Sequence, residues 1–134
     1  MGSFLETNNG PTFQFSAGTA GFARWSDGYY YRGQIISSGE SDQMVFRSVR
    51  EYDVSFSPSD WQAFVPDVTP VRKSTPSSSR VITPIFTNKY QAGTIVFINA
   101  SSFTYKVRHD DGGGESHFNL TDLRLMHPGF AGTY

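Results

Sequence analysis

The chain has 134 residues, 11 Lys and Arg against 12 Asp and Glu, a formal charge of −1 and no cysteine. That length suits one ordinary domain or two very small ones, and the near-neutral balance argues against a dedicated nucleic-acid binder. Without cysteine there is no disulfide framework, no cysteine zinc site and no thiol nucleophile; with 16% aromatic and only 17% charged residues, a folded intracellular domain is expected.

Helical periodicity is almost absent. Thirteen glycines and seven prolines punctuate short runs of Val, Ile, Phe, Tyr and Thr, the pattern of an all-β chain. The start lacks the basic and apolar regions of a signal peptide, and no run approaches the roughly 18 apolar residues that span a bilayer, so no membrane contact is expected. Residues 1–17 are polar and aperiodic and read as an N-terminal arm. Residues 21–25 form the first expected strand, Ser26-Asp27-Gly28 a tight turn, and residues 29–36 the second strand. A loop follows over 37–42. Residues 44–49 and 52–56 read either as one interrupted third strand or as a loop insertion followed by the strand proper. The second option is preferred, with 52–56 as the paired part. Ser57 to Asp60 turn the chain, 61–65 is the fourth strand, and 66–71 a short turn into a brief last strand.

Residues 72–80 contain no large apolar side chain and read as a linker. The order then repeats: strands over 81–86, 90–97, 103–109 and 115–119, a Gly-rich turn at 110–114, and a closing segment over 120–125. Tyr30-Tyr31-Arg32-Gly33-Gln34-Ile35 aligns with Tyr90-Gln91-Ala92-Gly93-Thr94-Ile95, and 52–56 with 105–109. Each unit has about 50 residues, a size at which one core is marginal, so the two should pack together. A glycine at the same place in both second strands suggests a barrel corner. The expected division is an arm (1–17), a first unit (18–72), a linker (73–80), a second unit (81–128) and a tail (129–134).

The run Ala23-Arg24-Trp25-Ser26-Asp27-Gly28-Tyr29-Tyr30-Tyr31-Arg32-Gly33-Gln34-Ile35 resembles the opening of a Tudor domain. The second half resembles the same family through Ala92-Gly93-Thr94-Ile95, Tyr105-Lys106-Val107-Arg108-His109-Asp110-Asp111-Gly112 and Leu120-Thr121-Asp122-Leu123-Arg124. The resemblance implies two small SH3-like, five-stranded Tudor barrels in tandem, packed together. It is similar to that of the DNA-damage checkpoint mediators that read methylated histone lysine. It further implies a nuclear, monomeric, non-enzymatic module with no cofactor, whose partner is a methylated histone peptide of the H3 or H4 tail.

A methylammonium ion is apolar at its rim yet charged, so aromatic faces hold it better than a carboxylate alone, at about 0.5–2 kcal/mol per well-placed ring. Strand alternation puts Tyr29 and Tyr31 on one face and Tyr30 on the other, toward the core, while Trp25 lies just across the turn. The resemblance adds Phe56 as the aromatic that ends strand three. The methyl-lysine site is therefore expected at Trp25, Tyr29, Tyr31 and Phe56. Family members that prefer dimethyl-lysine carry an acid two residues after that Phe; here Pro58 stands there, and Asp60, the nearest carboxylate, is expected to join the site in its place, with dimethyl-lysine as the expected mark. Trp61 is a further wall or core. Phe22, Tyr30, Phe64, Phe97, Phe103 and Phe118 are assigned to core or interface.

The second unit offers a weaker site: Phe86 lies near the Trp position, Gln91 replaces Tyr31, and His109 replaces the strand-ending Phe. It is expected to support the first unit and contribute to the groove between them. His109, Asp110, Asp111 and His117 flank one turn, where a solvated hairpin is a better reading than a metal site. No nucleophile, P-loop or nucleotide-binding pattern is present, and no enzyme is expected. Arg72, Lys73 and Arg80 form a modest basic cluster that could add weak DNA contact. Two alternatives stand beside methyl-lysine: a methylarginine reader with a narrower cage, and a scaffold or nucleic-acid module without methyl dependence.

Overall fold

The computed structural model describes residues 15–37, 43–72 and 75–126. Its strands are β1 (Ala20–Arg24), β2 (Tyr30–Ser37), β3 (Met44–Ser48), β4 (Asp53–Phe56), β5 (Phe64–Pro66), β6 (Arg80–Phe86), β7 (Lys89–Asn99), β8 (Thr104–His109), β9 (Glu115–Asn119) and β10 (Arg124–Leu125), with a 3-10 turn at Leu120–Asp122 before β10. Residues 1–14 of the expected arm, loop positions 38–42, Lys73, Ser74 and everything from 127 on, the expected tail included, lie outside the described residues.

One antiparallel pattern occurs twice. In the first half β1 pairs with β2 and β5, β2 with β3, and β3 with β4. In the second, β6 pairs with β7 and β10, β7 with β8, and β8 with β9. These are two small all-β barrels in tandem. The register fixes their equivalence: Gly33 lies opposite Ser48, and Gly93 opposite His109. Residues Met44–Ser48 thus form the third strand of the first barrel, equivalent to Thr104–His109. This corrects the preferred loop-insertion reading and the alignment of 52–56 with 105–109. Met44, Phe46 and Ser48 alternate inward and are buried, so a period-2 signal was present there. The shared glycine answers a close strand approach: a Cβ on Gly33 would stand 2.6 Å from Phe46 Cζ and 2.7 Å from Ser48 Cα, and one on Gly93 2.6 Å from Val107 Cγ1.

Each barrel has its own core. Ala23, Ile35, Met44, Phe46 and Phe64 fill the first, with Phe15, Val54 and Phe56 packed against them. Val81, Ile95, Tyr105, Val107, Leu123 and Leu125 fill the second. A third cluster of Phe22, Tyr30, Val65, Ile82, Tyr90 and Met126 lies where the barrels meet, with Trp61 half-buried against it. There β2 and β7 pair antiparallel, Tyr30 opposite its repeat-mate Tyr90 and Tyr31 opposite Lys89. A residue facing its own equivalent is the register that a local two-fold axis produces. Asp67 reinforces the junction, accepting from Arg32 of the first barrel at 2.8 Å and from Arg124 of the second at 2.6 Å. Burial pushes its carboxyl up, but the hydrogen bonds from Arg124 and Arg32 outweigh this and hold it below the usual range.

Four local expectations change. Residues 61–63 turn rather than extend, because Asp60 accepts the Gln62 N–H at 3.2 Å and its carbonyl accepts that of Ala63 at 3.0 Å. No strand follows β5 before Arg80 among the described residues, β5 itself being the brief closing strand. The linker is partly interior: Thr75 and Ser79 are buried, their hydroxyls donating to the Val71 and Pro76 carbonyls. Phe97 and Phe103 are 54% and 52% exposed rather than core. A bulge between Ile95 and Phe97 breaks the alternation, so Ile95 and Ile98 face inward and Phe97 outward. Phe103 sits in a turn at φ +58, beneath the Arg72 guanidinium.

Candidate functional site

A cavity of about 610 Å³ opens beside the junction of the barrels. The first barrel supplies Trp25, Asp27 and Tyr31 from the β1–β2 hairpin, and Ser48, Val49, Arg50 and Tyr52 from the β3–β4 hairpin. The second supplies Phe86, Thr87, Asn88 and Lys89 from the β6–β7 turn. Local chemistry shapes both hairpins of the first barrel. Gly28 takes φ +88 in the first turn, and the Asp27 carboxylate accepts the Tyr29 N–H at 2.9 Å. In the second, Glu51 takes φ +70 while the buried Ser48 hydroxyl accepts the N–H groups of Arg50 and Tyr52 at 3.3 and 3.2 Å. That tight reversal brings Tyr52 back beside the indole.

Trp25 is the hub of the aromatic wall. Its ring centroid lies 6.3 Å from that of Tyr31, with planes at 73°, and 6.2 Å from that of Tyr52, with planes at 50°. Tyr31 donates its hydroxyl to Asp27 Oδ2 at 2.5 Å, and this bond pushes the phenol up to about 12, so it stays protonated across the physiological range. Asp27 is the one carboxylate lining the cavity among the described residues. Charge-assisted hydrogen bonds to it fix both the turn and the Tyr31 ring. Phe86, 67% exposed, also lines the cavity.

The expected site residues separate into groups. Trp25 and Tyr31 come together in the cavity wall. Tyr29 shares the face of Tyr31, as alternation requires, yet its ring is capped by Lys89, whose Nζ is 4.3 Å from the Tyr29 centroid, 5.8 Å from Tyr31 and 5.9 Å from Phe86. Phe56 closes β4 rather than β3 and stacks on Phe64 at 6.0 Å and 10°, within the core of the first barrel. Asp60 pairs with Arg24 at 2.7 Å, outside the cavity. Tyr30 points inward and is fully buried, donating to the Gln62 carbonyl, and burial pushes its phenol up to about 12. Tyr52, Asp27, Phe86, Arg50 and Lys89 are cavity residues that the sequence reading did not assign. A period-2 reading of 44–48 would have exposed Tyr52, since it makes 49–52 a hairpin end rather than the start of a third strand.

Of the basic cluster, Arg80 is held by Asp110 through two bonds of 2.7 and 2.6 Å and by Thr94 at 2.8 Å, and Arg72 lies 4.1 Å over Phe103. Lys73 is outside the described residues. His109 is buried against Phe118, with Nε2 3.3 Å from Ser116 Oγ.

No protein-family model matches the chain, and no curated protein sequence matches it. Solved structures do match. The AGD34 region of Arabidopsis thaliana AGDP1 is 12% identical, covers 84% of this chain and 82% of its own, and superposes with a TM-score of 0.50. Tandem Agenet domain 3-4 of ADCP1 gives 11%, 84%, 80% and 0.50. The SAWADEE domain of Arabidopsis thaliana SHH1 gives 14%, 82%, 98% and 0.51. The fold is Tudor-like. The likeness reaches this class of paired barrels as a whole, not the checkpoint-mediator kind in particular. In this Tudor-like pair the cavity draws its walls from both barrels.

Proposed function

We propose that the chain is a chromatin reader, a binding module rather than an enzyme, that takes a methylated lysine of an H3 or H4 histone tail into the Trp25 cavity in the nucleus. The observation that carries this is Trp25, Tyr31 and Tyr52 standing together around Asp27. Tyr52 takes the part expected of Phe56, and Asp27 that expected of Asp60. Each ring turned toward a methylammonium contributes about 0.5–2 kcal/mol through its quadrupole and apolar contact. Asp27 has lone pairs beyond those used by Tyr31 and Tyr29, so it can accept the single N–H of a dimethyl-lysine. That favours the dimethyl over the trimethyl state. The neighbouring Agenet and SAWADEE domains lend support at the level of a reader fold.

Ring geometry favours an ammonium over a methylated guanidinium. A planar guanidinium is best held between parallel faces, whereas the Trp25 ring meets that of Tyr31 at 73° and that of Tyr52 at 50°. Titration of H3 and H4 tail peptides carrying zero to three methyl groups on each lysine tests the proposal. Selective binding of one dimethylated peptide, lost in Trp25→Ala with the circular dichroism spectrum unchanged, is expected. Equal affinity for methylated and unmodified peptides would overturn it.

A further inference from the structure

Two cations line a cavity proposed to hold a cation. Lys89 follows the Thr87–Asn88 turn and is fixed by the pairing of its backbone with Tyr31 and by the Arg32 N–H donating to the Asn88 carbonyl at 3.1 Å. Its ammonium rests on Tyr29, with Tyr31 and Phe86 nearby. Arg50 lies at the end of the β3–β4 hairpin on the same cavity. Seven of the ten described Lys and Arg side chains are in ion pairs; of the other three, Arg50, Arg72 and Lys89, two line this one cavity. Among the described residues most surface cations pair with a carboxylate, and at this cavity two of them do not.

Against these two positive charges the described cavity sets a single carboxylate, Asp27, already engaged by Tyr31 and the Tyr29 backbone. A lone methylammonium entering there meets net repulsion, which aromatic contact must overcome. A ligand carrying an anion next to its cation meets attraction at both points. At about 610 Å³ the space is of a size that takes whole small ligands, well beyond one capped ammonium. Resting on the methyl-lysine reading, we propose that the site recognises a methylated lysine flanked by an anionic side chain, carboxylate or phosphate, which Lys89 and Arg50 hold while Trp25, Tyr31 and Tyr52 hold the cation. This gives the second barrel a direct part in recognition: it contributes the charge that reads the neighbouring residue.

The test uses one peptide sequence with the central lysine unmodified or dimethylated and the adjacent residue serine, glutamate or phosphoserine, measured by fluorescence polarisation at low and high salt. Among the dimethylated peptides an anionic neighbour should tighten binding about three- to tenfold at low salt, and less at high salt. The gain should vanish in the Arg50→Gln/Lys89→Gln double variant and persist in Lys89→Arg, which keeps the charge. A gain with both anions identifies a carboxylate as sufficient; a gain with phosphoserine alone identifies phosphate. Equal binding of neutral and anionic peptides, or a gain that survives the double variant, would overturn the proposal. Methyl dependence is read separately, from the dimethylated against the unmodified serine peptide, so failure of the one is not mistaken for failure of the other.

Discussion

Truncating Tyr52 and truncating Phe56 should have opposite consequences. Phe56 stacks on Phe64 at 6.0 Å in the core of the first barrel and is half-buried. A fully buried Phe→Ala costs about 3–5 kcal/mol, so a half-buried ring in contact with one face of the core should cost roughly 2 kcal/mol. That corresponds to a fall in melting temperature on the order of 5–10 °C. The folded fraction of Phe56→Ala should bind a dimethyl-lysine peptide as the wild type does, because Phe56 does not line the cavity. Tyr52 is 61% exposed and its ring lies 6.2 Å from Trp25. Tyr52→Ala should change stability by no more than about 0.5 kcal/mol. Loss of one cation–π wall, about 0.5–2 kcal/mol, should weaken binding roughly two- to thirtyfold. Paired measurements, thermal denaturation by circular dichroism and peptide titration by calorimetry at a temperature where both variants are folded, separate the two effects. Unchanged affinity in Tyr52→Ala, or a binding defect in Phe56→Ala without loss of stability, would refute the assignment of the cavity wall.

Asp27→Asn should erase the preference for dimethyl over trimethyl peptide, since the amide no longer offers a charged acceptor; titration of both peptides against both proteins reads this out. Asp67→Asn should lower stability by about 1.5–3 kcal/mol by weakening the charge-assisted bonds from Arg32 and Arg124. Because the folded carboxyl is held low, its contribution is complete above the ordinary Asp range near pH 4 and is lost as acid protonates the folded form. Urea midpoints should therefore fall less between pH 7 and pH 3 in the variant than in the wild type. Gly33→Ala would press a methyl against Phe46 and against the backbone of Arg47 and Ser48, and should cost about 1–3 kcal/mol or more in thermal denaturation.

What the sequence determined by itself is local and periodic. Short runs of Val, Ile, Phe, Tyr and Thr punctuated by glycine and proline marked the all-β class; the recurring Tyr, Gly and Ile positions of the two second strands revealed the repeat; and the two-residue period of a strand put Tyr29 and Tyr31 on one face with Tyr30 opposite, because side-chain direction in a strand depends only on neighbouring residues. Trp25 was legible for the same reason, lying next to those tyrosines across a short turn. Tertiary structure decided the rest. Tyr52 reaches the indole only because β3 and β4 form a hairpin against β2, a pairing between segments whose local patterns fit more than one register. Phe86 and Lys89 arrive from some sixty residues away, through Tyr31 pairing with Lys89 across the local two-fold. Phe56 and Asp60, which the Tudor resemblance had brought to the site, are engaged by other partners, Phe64 and Arg24. A cavity wall is assembled from side chains that meet only after the strands have chosen their neighbours, and that choice is made by burial summed over both barrels, not by any single stretch of chain.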